Sequence, residues 1–429
     1  MRTVACPHKN CLREEKSVSI LDLLSSRDSW NRFLEHKKSS DYFPKNEEKR
    51  LTEFIEREEY LEICKKIQNN EPFCIPSLVQ INKKSTKKKR MVFIFPYRER
   101  YVLKHLAFLL HKYDYLFCDN LYSFRQNTCV KDATSFLVKR TAKRELYSYK
   151  VDIHDYFNSV DADKMVLLLR ERIQDDDRLI DFLEGILKEP YAKHKGEIIT
   201  VKKGIMAGVP FSGFLANVYL SDLDKWFYEQ KILYARYSDD IIVFGKTKEE
   251  IKEYELKIKE MLELSHLEVN EKKEFHTEPQ EKWEFLGFQI DGGIIDISPV
   301  SLSKIKAKIR RKAHALVRWR KRHDHDPRFA VRALIKRFNK KFFDNDSEHE
   351  LTWCKWYFPT INTPKSLHII DKYMVESLRY VNTGKHTKSN YNLRYKELKE
   401  LGYLSLVNLY YKYKKNPLNA FDDIEKAMQ

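Results

Sequence analysis

At 429 residues the chain exceeds one ordinary domain, and its 42% hydrophobic content can fill the cores of two or three packed subdomains. A net charge of +17 and a pI near 9.2 point to a polyanionic partner. No apolar run reaches the length of about 18 residues that a membrane helix needs, and residues 1–11 lack the apolar core of a signal peptide. Seven cysteines in a chain this long fit reduced thiols, so a cytoplasmic protein with no membrane partner is expected.

Near the start, Cys6, His8 and Cys11 offer three zinc-type ligands, but no fourth is evident and the spacing matches no standard finger. Residues 17–70 are polar and helical in period. Ile20, Leu23, Leu24, Trp30 and Phe33 recur at helical spacing, as do Leu51, Phe54, Ile55, Tyr60, Leu61 and Ile63 further on. Residues 1–70 are therefore expected to form an N-terminal helical extension with an ordinary amphipathic face. Next, Lys83, Lys84, Lys87, Lys88, Lys89 and Arg90 lead into an apolar strand over 91–95, ended by Pro96. Such a run suits either a solvated face or a hairpin that holds phosphates. Residues 98–113 read as a helix with Val102, Leu106, Leu109 and Leu110 inward.

Residues 146–153 read as a strand with Asp152 near its end, and Asp161 suits the N-cap of a helix over 162–170. Apolar runs at 232–235 and 241–244 flank a polar turn that carries Asp239 and Asp240. Asp is common in ordinary turns. A hairpin with carboxylates at its tip is also a rigid mount for a hard divalent cation, which takes oxygen ligands and substrate phosphates together. Asp152 and Asp239 can converge from neighbouring strands. From about residue 298 the composition turns basic. Arg310, Arg311, Lys312, Arg318 and Arg320 crowd one predicted helix, and a second basic stretch, with Trp319 and Phe329 interleaved, follows. Basic side chains hold phosphates without reading sequence, so these five are candidate nucleic-acid contacts; a solvated helix face satisfies the same pattern. Residues 350–429 are rich in aromatics and are expected to continue as helices that bind structured RNA.

Seven segments, in order over roughly residues 75–290, resemble those of reverse transcriptases. They are Arg90 within 89–96; the Ser-x-x-x-Arg-like stretch 121–125; Asp152 with Phe157; the glycine-rich run from Gly204 through Ala207, Gly208, Pro210 and Ser212; Tyr237-Ser238-Asp239-Asp240; the lysine segment ending at Lys273; and Phe285-Leu286-Gly287. The resemblance implies an α+β right-hand polymerase. Fingers and an antiparallel palm would occupy residues 71–297, and a basic helical thumb with a C-terminal RNA-binding region residues 298–429. It implies nucleotidyl transfer with two Mg²⁺ ions about 4 Å apart. Asp152 and Asp239 would be direct ligands and Asp240 a supporting one. Lys89, Arg90 and Lys273 would neutralise phosphate charge, with Lys273 also protonating pyrophosphate. Ala207, Gly208, Pro210 and Ser212 would grip template and substrate. Phe157, five positions after Asp152, would exclude a ribose 2′-hydroxyl, which favours deoxynucleoside triphosphates and a DNA product.

Many reverse transcriptases carry Gln where this chain has Ala207, so a contact to the incoming nucleotide is lost or replaced. This run resembles the bacterial "unknown group" and abortive-infection enzymes more than viral ones. That subgroup implies antiviral defence against phage and a cognate noncoding RNA template. Template-independent or protein-primed DNA synthesis by the same site, and a catalytically silent RNA-binding scaffold, are the alternatives. The sequence leaves oligomeric state open.

Overall fold

The computed structural model describes residues 18–39, 43–82, 89–142, 144–202, 204–343 and 352–417. Cys6, His8, Cys11 and the lysines at 83, 84, 87 and 88 lie outside them. The strands are β1 (Ser77–Asn82), β2 (Lys89–Ile94), β3 (Tyr147–Asp152), β4 (Tyr191–His194), β5 (Glu197–Thr200), β6 (Leu233–Tyr237), β7 (Asp240–Gly245), β8 (Phe275–Thr277), β9 (Trp283–Phe285), β10 (Phe288–Asp291) and β11 (Ile294–Ile297). With long helices around largely antiparallel sheets, the fold is α+β. Among the described residues no helix is long and apolar enough to cross a membrane.

The chain forms two compact units. The first comprises Met1–Ile81, Lys89–Leu116 and Phe157–Tyr219. Its helices Arg27–Ser39, Lys45–Glu56, Tyr60–Gln68 and Tyr97–Leu109 close on an aromatic core. Trp30 stacks on Tyr60 at 4.9 Å and meets Phe54 edge-on at 5.5 Å. The expected extension is thus built into this unit, because its apolar stripe is the unit's own core. Asp176 ties it in: Oδ1 accepts from Ser19 Oγ at 2.7 Å, Oδ2 from the Ile20 N–H at 2.8 Å, and Oδ1 also caps the helix Asp177–Lys188. The sheet runs β2-β1-β4-β5.

The second unit comprises Asn82–Lys88, Phe117–Tyr156 and Leu220–Gln429. Its antiparallel sheet runs β6-β7-β3-β8. Tyr149 and Val151 of β3 and Ile241 to Phe244 of β7 are buried, as a sheet covered on both faces requires. The helix Lys248–Leu264 packs on β3 and β7 through Ile251, Ile258 and Leu262. A second sheet, β9-β10-β11, shares one core with the helices Pro299–His323, Pro327–Phe343, Lys365–Thr383 and Leu406–Lys415. Gly287, between β9 and β10, has φ +85°, and a Cβ there would lie 3.0 Å from Ser301 Oγ and 3.1 Å from Tyr357 Oη. Only glycine suits that corner.

Candidate active site

The second unit brings three carboxylates together. β3 and β7 pair with Asp152 directly opposite Asp240, which puts both side chains on one face of the sheet. β6 and β7 pair through Tyr237 and Asp240, so Ser238 and Asp239 form a two-residue turn. The Ile153 N–H donates to the Asp239 carbonyl at 3.1 Å and locks the turn beside the end of β3. Oxygens of Asp152, Asp239 and Asp240 all lie within 4.8 Å of one another. Asp152 is buried, the other two half-buried. Burial, and then the neighbouring charge of Asp239, push the Asp240 carboxyl up to about 7. Crowded like charges in hard oxygen donors are the donor set that a divalent cation neutralises.

Two neighbours orient Asp152. Lys273 Nζ reaches its Oδ2 at 2.5 Å, and Asn270 Nδ2 donates to its Oδ1 at 3.1 Å. The Asn270 N–H donates to the Asp152 carbonyl at 2.8 Å, so this segment is stitched to the strand end. Ser238 has φ +60°, uncommon for a residue with a Cβ. Its N–H donates to Ser123 Oγ at 2.8 Å, and its carbonyl accepts from Arg236 Nη1 at 3.2 Å. Arg236 is fully buried against Asp224, with Nε on Oδ1 at 2.8 Å and Nη2 on Oδ2 at 2.5 Å. Burial opposes the Arg236 charge, and the Asp224 carboxylate more than offsets it, so the guanidinium stays protonated.

Residues 81–290 match the family described as reverse transcriptase (RNA-dependent DNA polymerase). This stretch is similar to reverse transcriptase domains. Domains of that family depend on metal held by an aspartate triad, and Asp152, Asp239 and Asp240 form such a triad here. The group II intron-encoded protein LtrA of Lactococcus lactis subsp. cremoris, and its counterpart in strain MG1363, are each 28% identical over 213 residues. The match covers 47% of this chain and 33% of each relative, so the chain spans about a third of the curated relatives it matches. Among solved structures, apo telomerase from Candida tropicalis, truncated from its C-terminal domain, aligns at 14% identity with a TM-score of 0.43. That alignment covers 53% of this chain and 55% of the telomerase.

Within the matched stretch, Asp152, Asp239, Asp240 and Lys273 meet in the second unit. The other candidates lie in the first. Lys89 and Arg90 open β2. The Phe157 carbonyl accepts the Ile205 N–H at 2.9 Å, and the Ala207 carbonyl accepts the Phe93 N–H at 2.9 Å, so the first half of the glycine-rich loop is pinned at two points. Gly208 has φ +98°, and a Cβ there would collide with the Val92 side chain. Ser212 Oγ donates back to the carbonyls of Ile205 at 2.5 Å and Met206 at 2.8 Å, after half-buried Pro210.

Beyond the matched stretch, Arg310, Arg311, Lys312 and Arg318 are exposed on the helix Pro299–His323. Arg320 differs from expectation. It is buried, and its Nη1 donates to the Asn382 carbonyl at 2.6 Å, where it satisfies the end of the neighbouring helix. Its spacing from Ile305, Ile309, Ala313 and Leu316 puts it on the inward stripe. Sequence reasoning missed Asn270, Ser123, Asp224 and Arg236. The signal for the last was a lone cation inside an apolar strand, two residues from Tyr234, which also donates to Asp224 Oδ1 at 2.9 Å.

Proposed function

We propose that the protein is a Mg²⁺-dependent, RNA-directed DNA polymerase of the cytoplasm that copies a cognate noncoding RNA in defence against phage. The observation that carries the polymerase reading is the triad of Asp152, Asp239 and Asp240 within 4.8 Å, set in a stretch similar to reverse transcriptase domains. The chemistry supplied at such a triad by two bound divalent ions is activation of a primer hydroxyl and charge offset on pyrophosphate. Asp152 and Asp239 hold the reacting end in place, and Asp240 supports them from the facing strand. Lys273, anchored at Asp152, presents its ammonium at the rim of the triad, where it offsets phosphate charge and gives a proton to the leaving pyrophosphate. Lys89 and Arg90, whose side chains lie outside the described ones, are the basic residues that the resemblance assigns to the triphosphate. The likeness of the run around Ala207 to bacterial defence enzymes supports the biological role.

The test is extension by protein purified with its bound nucleic acid, supplied with deoxy- or ribonucleotides, with RNA and product both sequenced. DNA complementary to one enriched RNA supports the reading. DNA unrelated to any bound RNA, or linked to peptide at its 5′ end, overturns the templated version. In the same assay Phe157→Ala raises ribonucleotide incorporation about tenfold or more relative to deoxynucleotides, because removing a ring opens space for a 2′-hydroxyl. Unchanged selectivity removes that role from Phe157.

The exposed basic helix has its own test. Arg311→Ala with Lys312→Ala weakens RNA binding and flattens the slope of log K against log salt by roughly 1.4 to 1.8, the counterion release of two phosphate contacts. A salt titration of RNA affinity measures it, and an unchanged slope places the RNA elsewhere.

A further inference from the structure

Outside the triad, the C-terminal helices enclose a cavity of about 410 Å³. Its walls are the helix Pro299–His323, the helix Lys365–Thr383 and the short turn Lys388–Asn392. Gly384 makes the turn possible: its φ of +72° ends the helix and swings the chain back over its own last turns. We infer that this cavity binds a nucleotide, with the base against aromatic and guanidinium faces and the phosphate at a cationic rim.

The lining has the chemistry of a nucleotide site. Tyr380 is stacked on His386 at 4.5 Å with planes 11° apart, and its hydroxyl is bonded to His314 Nδ1 at 3.0 Å. The Arg379 guanidinium lies 4.9 Å over the Tyr391 ring and is steadied by its Nε on the Leu393 carbonyl at 3.2 Å. Unpaired bases are held in this way, stacked on aromatic rings or on Arg planes. Asn390 Oδ1 lies 2.5 Å from Thr383 Oγ1, which ties this polar side chain of the lining to the end of the helix. Arg310 and Lys388 are exposed at the rim, and among the described residues neither forms an ion pair. With Arg379 they outnumber the single acid, Glu376. A packing defect would be uncharged and dry, whereas this space joins apolar and aromatic walls to three cationic side chains and is large enough for a small ligand.

Arg310 shares its helix with Arg311 and Lys312. RNA tracking that helix would pass the mouth of the cavity and could turn one unpaired nucleotide into it. This source rests on the proposed polymerase reading; a free nucleotide carries the same chemistry. The experiment uses the full chain and two exposed positions, Tyr391→Ala and Lys388→Ala, with thermal unfolding as the folding check. Binding is read with a short fluorescent single-stranded RNA and, by calorimetry, with adenosine monophosphate. Extension of a preformed primer–template by wild type and variants runs in parallel.

The result expected is about a tenfold loss of single-stranded RNA affinity in Tyr391→Ala, recovered in Tyr391→Phe, with extension of the preformed duplex kept. Photocrosslinking of the RNA to the peptide spanning 388–393 supports it independently. Loss of adenosine monophosphate binding with RNA affinity intact also supports the site and assigns it to a free nucleotide. Unchanged affinity for both probes, with no crosslink, overturns it. Failure of wild-type extension, with the Tyr391 effect intact, sinks the polymerase reading and leaves the site standing.

Discussion

Asp239→Asn abolishes nucleotide addition while the protein stays folded and still binds RNA. The turn that carries Asp239 is fixed by backbone pairing of Tyr237 with Asp240 and by the Ile153 N–H, neither of which needs the carboxylate. The chemistry does need it: a charged oxygen ligand lost from a two-metal site is worth several kcal/mol of barrier, roughly a thousandfold in rate. Electrostatics give the stability readout. The Asp240 carboxyl is pushed up to about 7, first by burial and then by Asp239, against an ordinary value of about 3.9. A folded-state pKa raised in this way means the folded protein holds the proton more tightly than the unfolded chain. The contribution of Asp240 to metal-free stability is therefore fully present below about pH 4 and is lost as pH rises through about 7. Removing the Asp239 charge relieves part of that loss. At pH 8 the metal-free variant melts no lower than wild type, yet gains less from added Mg²⁺. Melting curves at pH 6 and pH 8, with and without Mg²⁺, alongside single-turnover extension, check both halves. Full activity in the variant would sink the metal assignment.

The parts of this site that could be read from the chain are those set by neighbours in sequence. Strand-forming residues on both sides of Ser238 and Asp239 predict a hairpin, and β6 and β7 form it within a residue or two of the expected ends. Asp161 caps its helix as its spacing predicts, with Oδ1 accepting from the Asp163 and Lys164 N–H groups. The parts that could not be read are set by partners far away. Nothing in 146–153 states that Asp152 will pair with Asp240 rather than with a residue one step along, and a slip of one would turn its carboxylate to the other face. Arg320 looked like its basic neighbours, yet four-residue steps from Ile305 carry the inward stripe close to it and the Asn382 carbonyl holds it there. Residues 18–70 gave their helical period but not their packing, because Asp176, which ties Ser19 and Ile20 in, lies more than 150 positions away.

Arg236 is the clearest case of a residue whose role lies outside its own segment, and its loss is expected to be the costliest single change to stability. Its side chain is 0% exposed and that of Asp224 1%. Two parallel N–H···O bonds join them, the geometry in which a guanidinium and a carboxylate bind best. Arg236→Met leaves Asp224 charged and buried with only the Tyr234 hydroxyl as side-chain donor, so the variant loses about 3–5 kcal/mol. Against a typical total of about 5–15 kcal/mol that is a large fraction. The pair itself carries far less net stability than its breakage suggests, since both charges were taken out of water to make it. Replacing the whole network, with Asp224→Leu, Tyr234→Phe and Arg236→Met together, is therefore expected to recover most of the loss. Urea unfolding of the single and triple variants measures this, and equal destabilisation would refute it. Activity separates from stability here. The triple variant still lacks the bond from Arg236 to the Ser238 carbonyl, and Ser238 sits at positive φ one residue before Asp239. Without that bond the strained turn can relax and carry Asp239 away from Asp152 and Asp240, and small displacements of a reacting group are expensive in rate. Extension by the stable triple variant is accordingly expected to fall about tenfold or more. A triple variant as fast as wild type would show that the strand pairing and the bonds to Ile153 and Ser123 hold the turn without Arg236.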